Sequence, residues 1–92
     1  MEQLLTALRA AGEATRLRLL VLCAHSDLTV SELTQILGQS QPRVSRHVKI
    51  LVDAGLAERR KEGSWVFLSL GDPSRVRPLL AAIDGWADDD ND

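Results

Sequence analysis

The sequence predicts a mainly α-helical domain with one small β-hairpin, in the element order α-α-α-α-β-β-α. Three observations carry that prediction. Four segments before Gly55 place apolar residues at helical spacing. The third and fourth of these are separated only by "GQSQ", a tight turn. Beyond Gly55, "LAERR" and "WVFLSL" flank "KEGS", two extended runs around a turn.

Each element follows from local chemistry. "EQLLTALRAA" sets Leu4, Leu5, Leu8 and Ala11 on one helical face before Gly12 interrupts it. "EATRLRLLVLCAHS" has one apolar stripe through Ala14, Leu17, Leu20, Val21 and Ala24 and a second through Leu19, Leu22 and Cys23. A helix apolar on nearly every side is a central one, and Cys23 reads as a small core residue within it. In "DLTVSELTQILG", Thr29 precedes Glu32 by three residues, the spacing of a capping box, and Gly38 supplies the stop. Pro42, with its fixed φ and missing N–H, suits the first turn of a fourth helix that runs to about Ala54. Asp72 and Pro73 start a last helix with Val76, Leu79, Leu80 and Ile83 on one face; Pro78 is expected to delay its regular part by a turn. Two helices joined by such a turn form a helix-turn-helix, and the hairpin that follows makes it winged. Residues 1–87 are expected to form this one domain, and 88–92 an acidic disordered tail.

Composition narrows the function. At 92 residues the chain builds one modest core, packed by aliphatic residues because aromatics make up only 3%. No apolar run is long enough to span a bilayer, and the first residues lack the layout of a signal peptide, so no membrane partner and a cytoplasmic location are expected. Phosphate-binding glycine loops, zinc-hydrolase pairs and nucleophile elbows do not occur. Ser45 and His47 are two residues apart and do not face each other on a helix. The reading is therefore not an enzyme, and it calls for no cofactor. The net charge of -2 hides a segregation. Arg43, Arg46, Lys49, Arg59, Arg60 and Lys61 cluster in one stretch, whereas Asp84, Asp88, Asp89, Asp90 and Asp92 stand together at the end. That asymmetry suits a surface that meets nucleic acid.

The fourth helix divides its residues by angle. Val44, Val48, Leu51 and Val52 fall on the core side and His47 beside them, while Arg46 and Lys49 lie opposite and Arg43 and Ser45 on the flanks. The N-terminal part of the second helix of a helix-turn-helix enters the major groove, which makes Gln41, Arg43, Ser45 and Arg46 the candidates for base edges. Arg46 could grip guanine and Gln41 adenine through paired hydrogen bonds. Ser40 and Lys49 are assigned to phosphates, as are Arg59, Arg60 and Lys61 near the wing tip, although strand alternation sends Arg59 and Arg60 to opposite sides. Leu4, Leu5 and Leu8 in the first helix, and Leu79, Leu80, Ile83 and Trp86 in the last, are more apolar surface than so small a core covers, and a two-fold partner would cover it.

Through "EATRLRLLVL", "LTVSELTQILGQSQPRVSRHVKILVDAGLAERRKEGSWVFLSL" and the last helix, the chain resembles the ArsR/SmtB family of bacterial winged-helix repressors. The resemblance covers nearly the whole chain. It implies a sequence-specific transcriptional regulator that binds double-stranded DNA at an inverted repeat as a homodimer paired through its terminal helices. Metal-sensing members of the family use a thiolate pair in the third helix or Asp and His ligands in the last. This chain departs from both, with no cysteine in "VSELTQIL" and no histidine after Asp84. No metal site is expected, and any signal would come from an unidentified small-molecule effector in or near the dimer interface. Three other readings stay open at this point: the winged-helix module of a larger regulator or methyltransferase fusion, a protein-binding winged helix, and a thiol switch through Cys23.

Overall fold

The computed structural model describes the backbone of residues 1–90 and the side chains of residues 1–86. The helices are α1 (Glu2–Ala11), α2 (Ala14–His25), α3 (Val30–Leu37), α4 (Gln41–Asp53) and α5 (Pro73–Asp90), and the strands are β1 (Leu28–Thr29), β2 (Ala57–Glu62) and β3 (Trp65–Leu70). The expected order of helices and hairpin is present, with one addition. The expected two-stranded wing is a three-stranded antiparallel sheet in the order β1-β3-β2. In β1, Leu28 pairs with Leu68 and Thr29 with Phe67. Two residues are too few to show alternation in a sequence; this strand exists because β3 offers it a free edge.

Caps set the helix ends. Thr29 Oγ1 accepts from Glu32 N at 3.1 Å while Thr29 N donates to Glu32 Oε1 at 2.9 Å, completing the capping box. Gly38 closes α3 in the left-handed region at φ 65°, where a side chain would be strained. Ser40 then caps α4, its hydroxyl accepting from Arg43 N at 3.4 Å, with Pro42 in the first turn. Gly38, Gln39 and Ser40 thus suffice to reverse the chain.

The two halves of the molecule meet in one aliphatic core. Leu19, Leu20, Leu33, Val44, Val48, Leu51, Leu56, Leu68 and Val76 are all but fully buried. Each contributes about 1.5–3 kcal/mol on removal from water. Val44, Val48 and Leu51 are the face of α4 that periodicity assigns to the core, so the opposite face of α4 is necessarily the exposed one. A second junction joins wing and α5: Gly71 N donates to Leu56 O at 2.9 Å, and a Cβ at Gly71 would collide with the carbonyl of Gly55. Only glycine permits that approach.

One expectation about the last helix changes. Pro78 does not delay it: α5 is helical from Pro73 and passes through Pro78. The missing N–H and the ring clash fall on the carbonyl of Ser74, an exposed first-turn residue, where the loss of one bond is tolerated. Asp72 provides the start, accepting from Ser74 N at 3.0 Å and Ser74 Oγ at 2.8 Å. The helix runs to Asp90, and of the tail expected at 88–92, residues 91 and 92 lie outside the described residues.

Candidate nucleic-acid interface

The solvent face of α4 and the inner face of the wing form one continuous surface. Gln41, Arg43, Ser45 and Arg46 are exposed on α4. Among the described residues, the side chains of Arg43 and Arg46 have no ion pair and no hydrogen bond within the protein. Across a groove from Gln41 and Ser45 stand Arg59, Ser64 and Trp65 of the wing, with Ser31 of α3 closing the end. Trp65 is 60% exposed at the start of β3. Sequence reasoning missed Ser31, Ser64 and Trp65 because their proximity to α4 depends on how the hairpin folds back.

The wing register sorts the remaining cations. Residues directly opposite in an antiparallel pair project to the same side. Arg59 lies opposite the buried Leu68 and Lys61 opposite Val66, which puts both on the side of the strand that carries Leu68, and Arg59 lines the groove with Gln41 and Ser45 of α4. Arg60 lies opposite Phe67, on the other face. Its guanidinium sits 5.1 Å from the Phe67 ring centroid, and it is 3.8 Å from Asp27 and 3.7 Å from Glu62. The expected split between Arg59 and Arg60 is present, and Arg60 is the one that projects on the Phe67 side. On α4, Lys49 Nζ is 2.7 Å from Asp53 Oδ2. Both groups are exposed, so the pair is weak and a phosphate can compete with it. Ser40 serves as the α4 cap; its hydroxyl is exposed and retains hydrogen-bonding capacity.

His47 is not on this surface. It is half-buried on the flank of α4, with Nδ1 3.0 Å from Arg16 Nη1 and 3.7 Å from Glu13 Oε2. Glu13 in turn caps α2, accepting from Arg16 N at 3.0 Å. Burial works to raise the Glu13 pKa, but hydrogen bonds from the Arg16 and Thr15 backbone and the charges of His47 and Arg16 outweigh it, leaving the carboxyl below its usual range. The Glu13–Arg16 signal was present in "EATR" as a cap followed three residues on by its donor, but nothing in the sequence tied it to His47, 31 residues away from Arg16. Cys23 is half-buried, and burial pushes its thiol up to about 11. Among the described residues no group of three or more His, Cys, Asp or Glu side chains converges as metal ligands would, and no helix is long and apolar enough to cross a membrane.

The helix-turn-helix and the strands around it are also the part that other proteins share. Residues 13–59 match the family described as bacterial regulatory protein, arsR family. The chain belongs to the ArsR family. A probable mercury resistance operon repressor of Streptomyces lividans is 42% identical over 72 residues, covering 78% of this chain and 57% of that protein. An uncharacterised helix-turn-helix-type transcriptional regulator of Methanocaldococcus jannaschii is 36% identical, covering 83% of this chain and 85% of its own length. This ArsR-family chain therefore spans little more than half of the first relative and most of the second. Among solved structures, HlyU from Vibrio cholerae superposes with a TM-score of 0.84 at 27% identity, covering 94% of each chain. The homodimeric winged helix-turn-helix domain of a possible ArsR-family regulator from Mycobacterium bovis gives 0.84 at 25% identity, covering 95% of this chain and 80% of that one. The winged helix-turn-helix fold of the ArsR family is thus present, and these relatives are named as regulators rather than for a catalysed reaction.

The helices expected to dimerise form a separate surface. Leu4, Leu5 and Leu8 are 54%, 43% and 46% exposed, and Trp86 68%. Leu79 and Leu80 are half-buried against the core, and Ile83 is half-buried too. The last-helix stripe therefore serves its own core at one end and faces solvent at the other. Leu8, Leu17, Leu79, Ile83 and Trp86 line an apolar cleft between α1, α2 and α5.

Proposed function

We propose that this chain is the DNA-binding unit of a transcriptional repressor, and that it acts as a homodimer on an inverted-repeat operator. The observation that carries the reading is the face of α4: Arg43 and Arg46 are exposed and unpaired among the described residues, beside Gln41, Ser45 and the wing's Arg59. A solvated helix face commonly offsets its cations with i,i+4 carboxylates, as Lys49 and Asp53 do. Arg46 reads a guanine edge and Gln41 an adenine edge, with Arg43 and Ser45 beside them. Ser40, Lys49, Arg59 and Lys61 hold phosphates. The exposed leucines of α1 and Trp86 of α5 meet the same surface of a second copy, as the homodimeric Mycobacterium bovis domain makes reasonable.

Metal does not control the protein through the sites its family uses. Supporting this are a third helix without cysteine and a last helix without a histidine after Asp84. The operator is found by selecting bound sequences from a random duplex pool. The reading requires an inverted repeat with half-sites about one helical turn, or a multiple of it, apart. Binding must also weaken steeply as salt rises. Absence of salt-dependent duplex binding would refute it. Release of the selected duplex by mercury, arsenite or zinc would refute the metal statement alone.

A further inference from the structure

Arg16 is 14% exposed and spends its guanidinium on three different elements. Nε donates to the carbonyl of Ala10, and Nη2 to that of Arg9 at 3.4 Å, two of the free carbonyls that end α1. Nη1 lies 3.0 Å from Nδ1 of His47, in the middle of α4. The residue itself belongs to α2, whose first turn is capped by Glu13. One side chain therefore ties the helix that carries Leu4, Leu5 and Leu8 to the flank of the helix that carries Arg46. A guanidinium at neutral pH only donates, so Nδ1 must be the unprotonated nitrogen and the ring proton must sit on Nε2.

We propose that Arg16 is the positioning residue of the DNA-binding face: it holds α4 at a fixed orientation against the α1–α2 elbow, and does so only while His47 is neutral. The proposal rests on the DNA-binding reading above. Protonation of Nδ1 turns the acceptor into a donor and places two cations 3.0 Å apart. The imidazolium is then drawn to Glu13 Oε2, already 3.7 Å away, and α4 shifts its tie from the end of α1 to the cap of α2. Glu13 and Arg16 are the charged groups that face His47 from the elbow. On its own helix Arg43 precedes it by one turn. Of the other elements packed on α4, α1 brings Arg9 to the cleft beside Ile50, and α3 and β2 present the apolar Leu33 and Ala57 as their buried residues. Operator recognition needs both recognition helices of a dimer in register, whereas nonspecific attraction to phosphate does not. The latch therefore acts on specificity.

The test measures the ratio of affinities for the selected operator and a scrambled duplex, at about pH 8 and about pH 5.5, the range in which histidine titrates. In the wild type the ratio should fall by about 5- to 10-fold on acidification. His47→Gln keeps a carbonyl acceptor that does not titrate, and its ratio should be high and flat. His47→Phe fills the space without accepting, so its ratio should be low at both pH values, as should that of Arg16→Met. If Arg16→Met does not fold, the Gln and Phe variants carry the comparison. Parallel profiles for wild type and His47→Gln, with binding intact, overturn the latch alone. Nitrogen NMR of the histidines adds a readout without DNA: His47 must be the Nε2–H tautomer at about pH 8, and a protonated Nδ1 there overturns the latch. Failure of the wild type to bind duplex at any pH sinks the DNA-binding reading, and the latch's role with it.

Discussion

The start of α4 and the hairpin each present exposed cations, and they differ in what those cations already touch. Arg43 and Arg46 have no side-chain partner among the described residues, whereas Arg60 stacks over Phe67 between Asp27 and Glu62. Arg59 and Lys61, its chain neighbours, project from the other side of the strand. A cluster of basic residues therefore overstates a contact surface. What a cation can offer a phosphate depends first on the side of the strand from which it projects.

The largest effect should come from α4. Arg46→Ala is expected to cost about 1–3 kcal/mol at one base pair and to relax the preference there, as competition between operator variants would record. Equal losses on every variant would move Arg46 to the phosphate contacts. Next come the wing cations. Arg59→Ala and Lys61→Ala should weaken binding to all sequences and each reduce the salt slope by about 0.9, whereas Arg60→Ala should leave the slope unchanged. Loss of its contact with Phe67 should instead lower stability by about 0.5–1 kcal/mol, measured by denaturant titration. A slope change in Arg60→Ala would collapse the distinction between the two sides of the wing.

Smaller effects sharpen the comparison. Asp53→Asn releases Lys49 and should tighten nonspecific duplex binding at low salt while costing about 0.3–0.5 kcal/mol in stability. Glu13, whose carboxyl is held below its usual range, contributes stability that is full above about pH 4.3 and lost as pH falls through its folded pKa. Wild type should therefore lose stability over that acid range more steeply than Glu13→Gln, as melting curves at stepped pH would show. The smallest effect is expected at Cys23. With its thiol pushed up to about 11, folded protein should be alkylated slowly at neutral pH and Cys23→Ser should bind DNA unchanged. Rapid alkylation, or altered binding after mild oxidation, would restore the thiol switch.

Most of the architecture was legible because it is written in local chemistry. Thr29 and Glu32 close their capping box, Gly38 takes the left-handed turn, and Val44, Val48 and Leu51 bury the side of α4 that their spacing picks out. These interactions span at most a few turns of chain. Pro78 misled because proline predicts a lost bond, while the cost depends on which carbonyl is left exposed. The apolar stripe of α5 was legible as apolar but not as divided between the core and the surface, since Leu79 and Trp86 look alike to a periodicity count.

The sequence by itself determined the order of helices and wing, the core-facing side of the recognition helix and the exposure of Arg43 and Arg46, all consequences of periodicity and capping within single elements. Tertiary structure alone decided the third strand, the facing of Arg60 toward Phe67 and Asp27, and the meeting of Arg16 with His47. Each of those depends on which edge, ring or nitrogen a distant segment presents. Packing of the whole chain sets that, and no local rule encodes it.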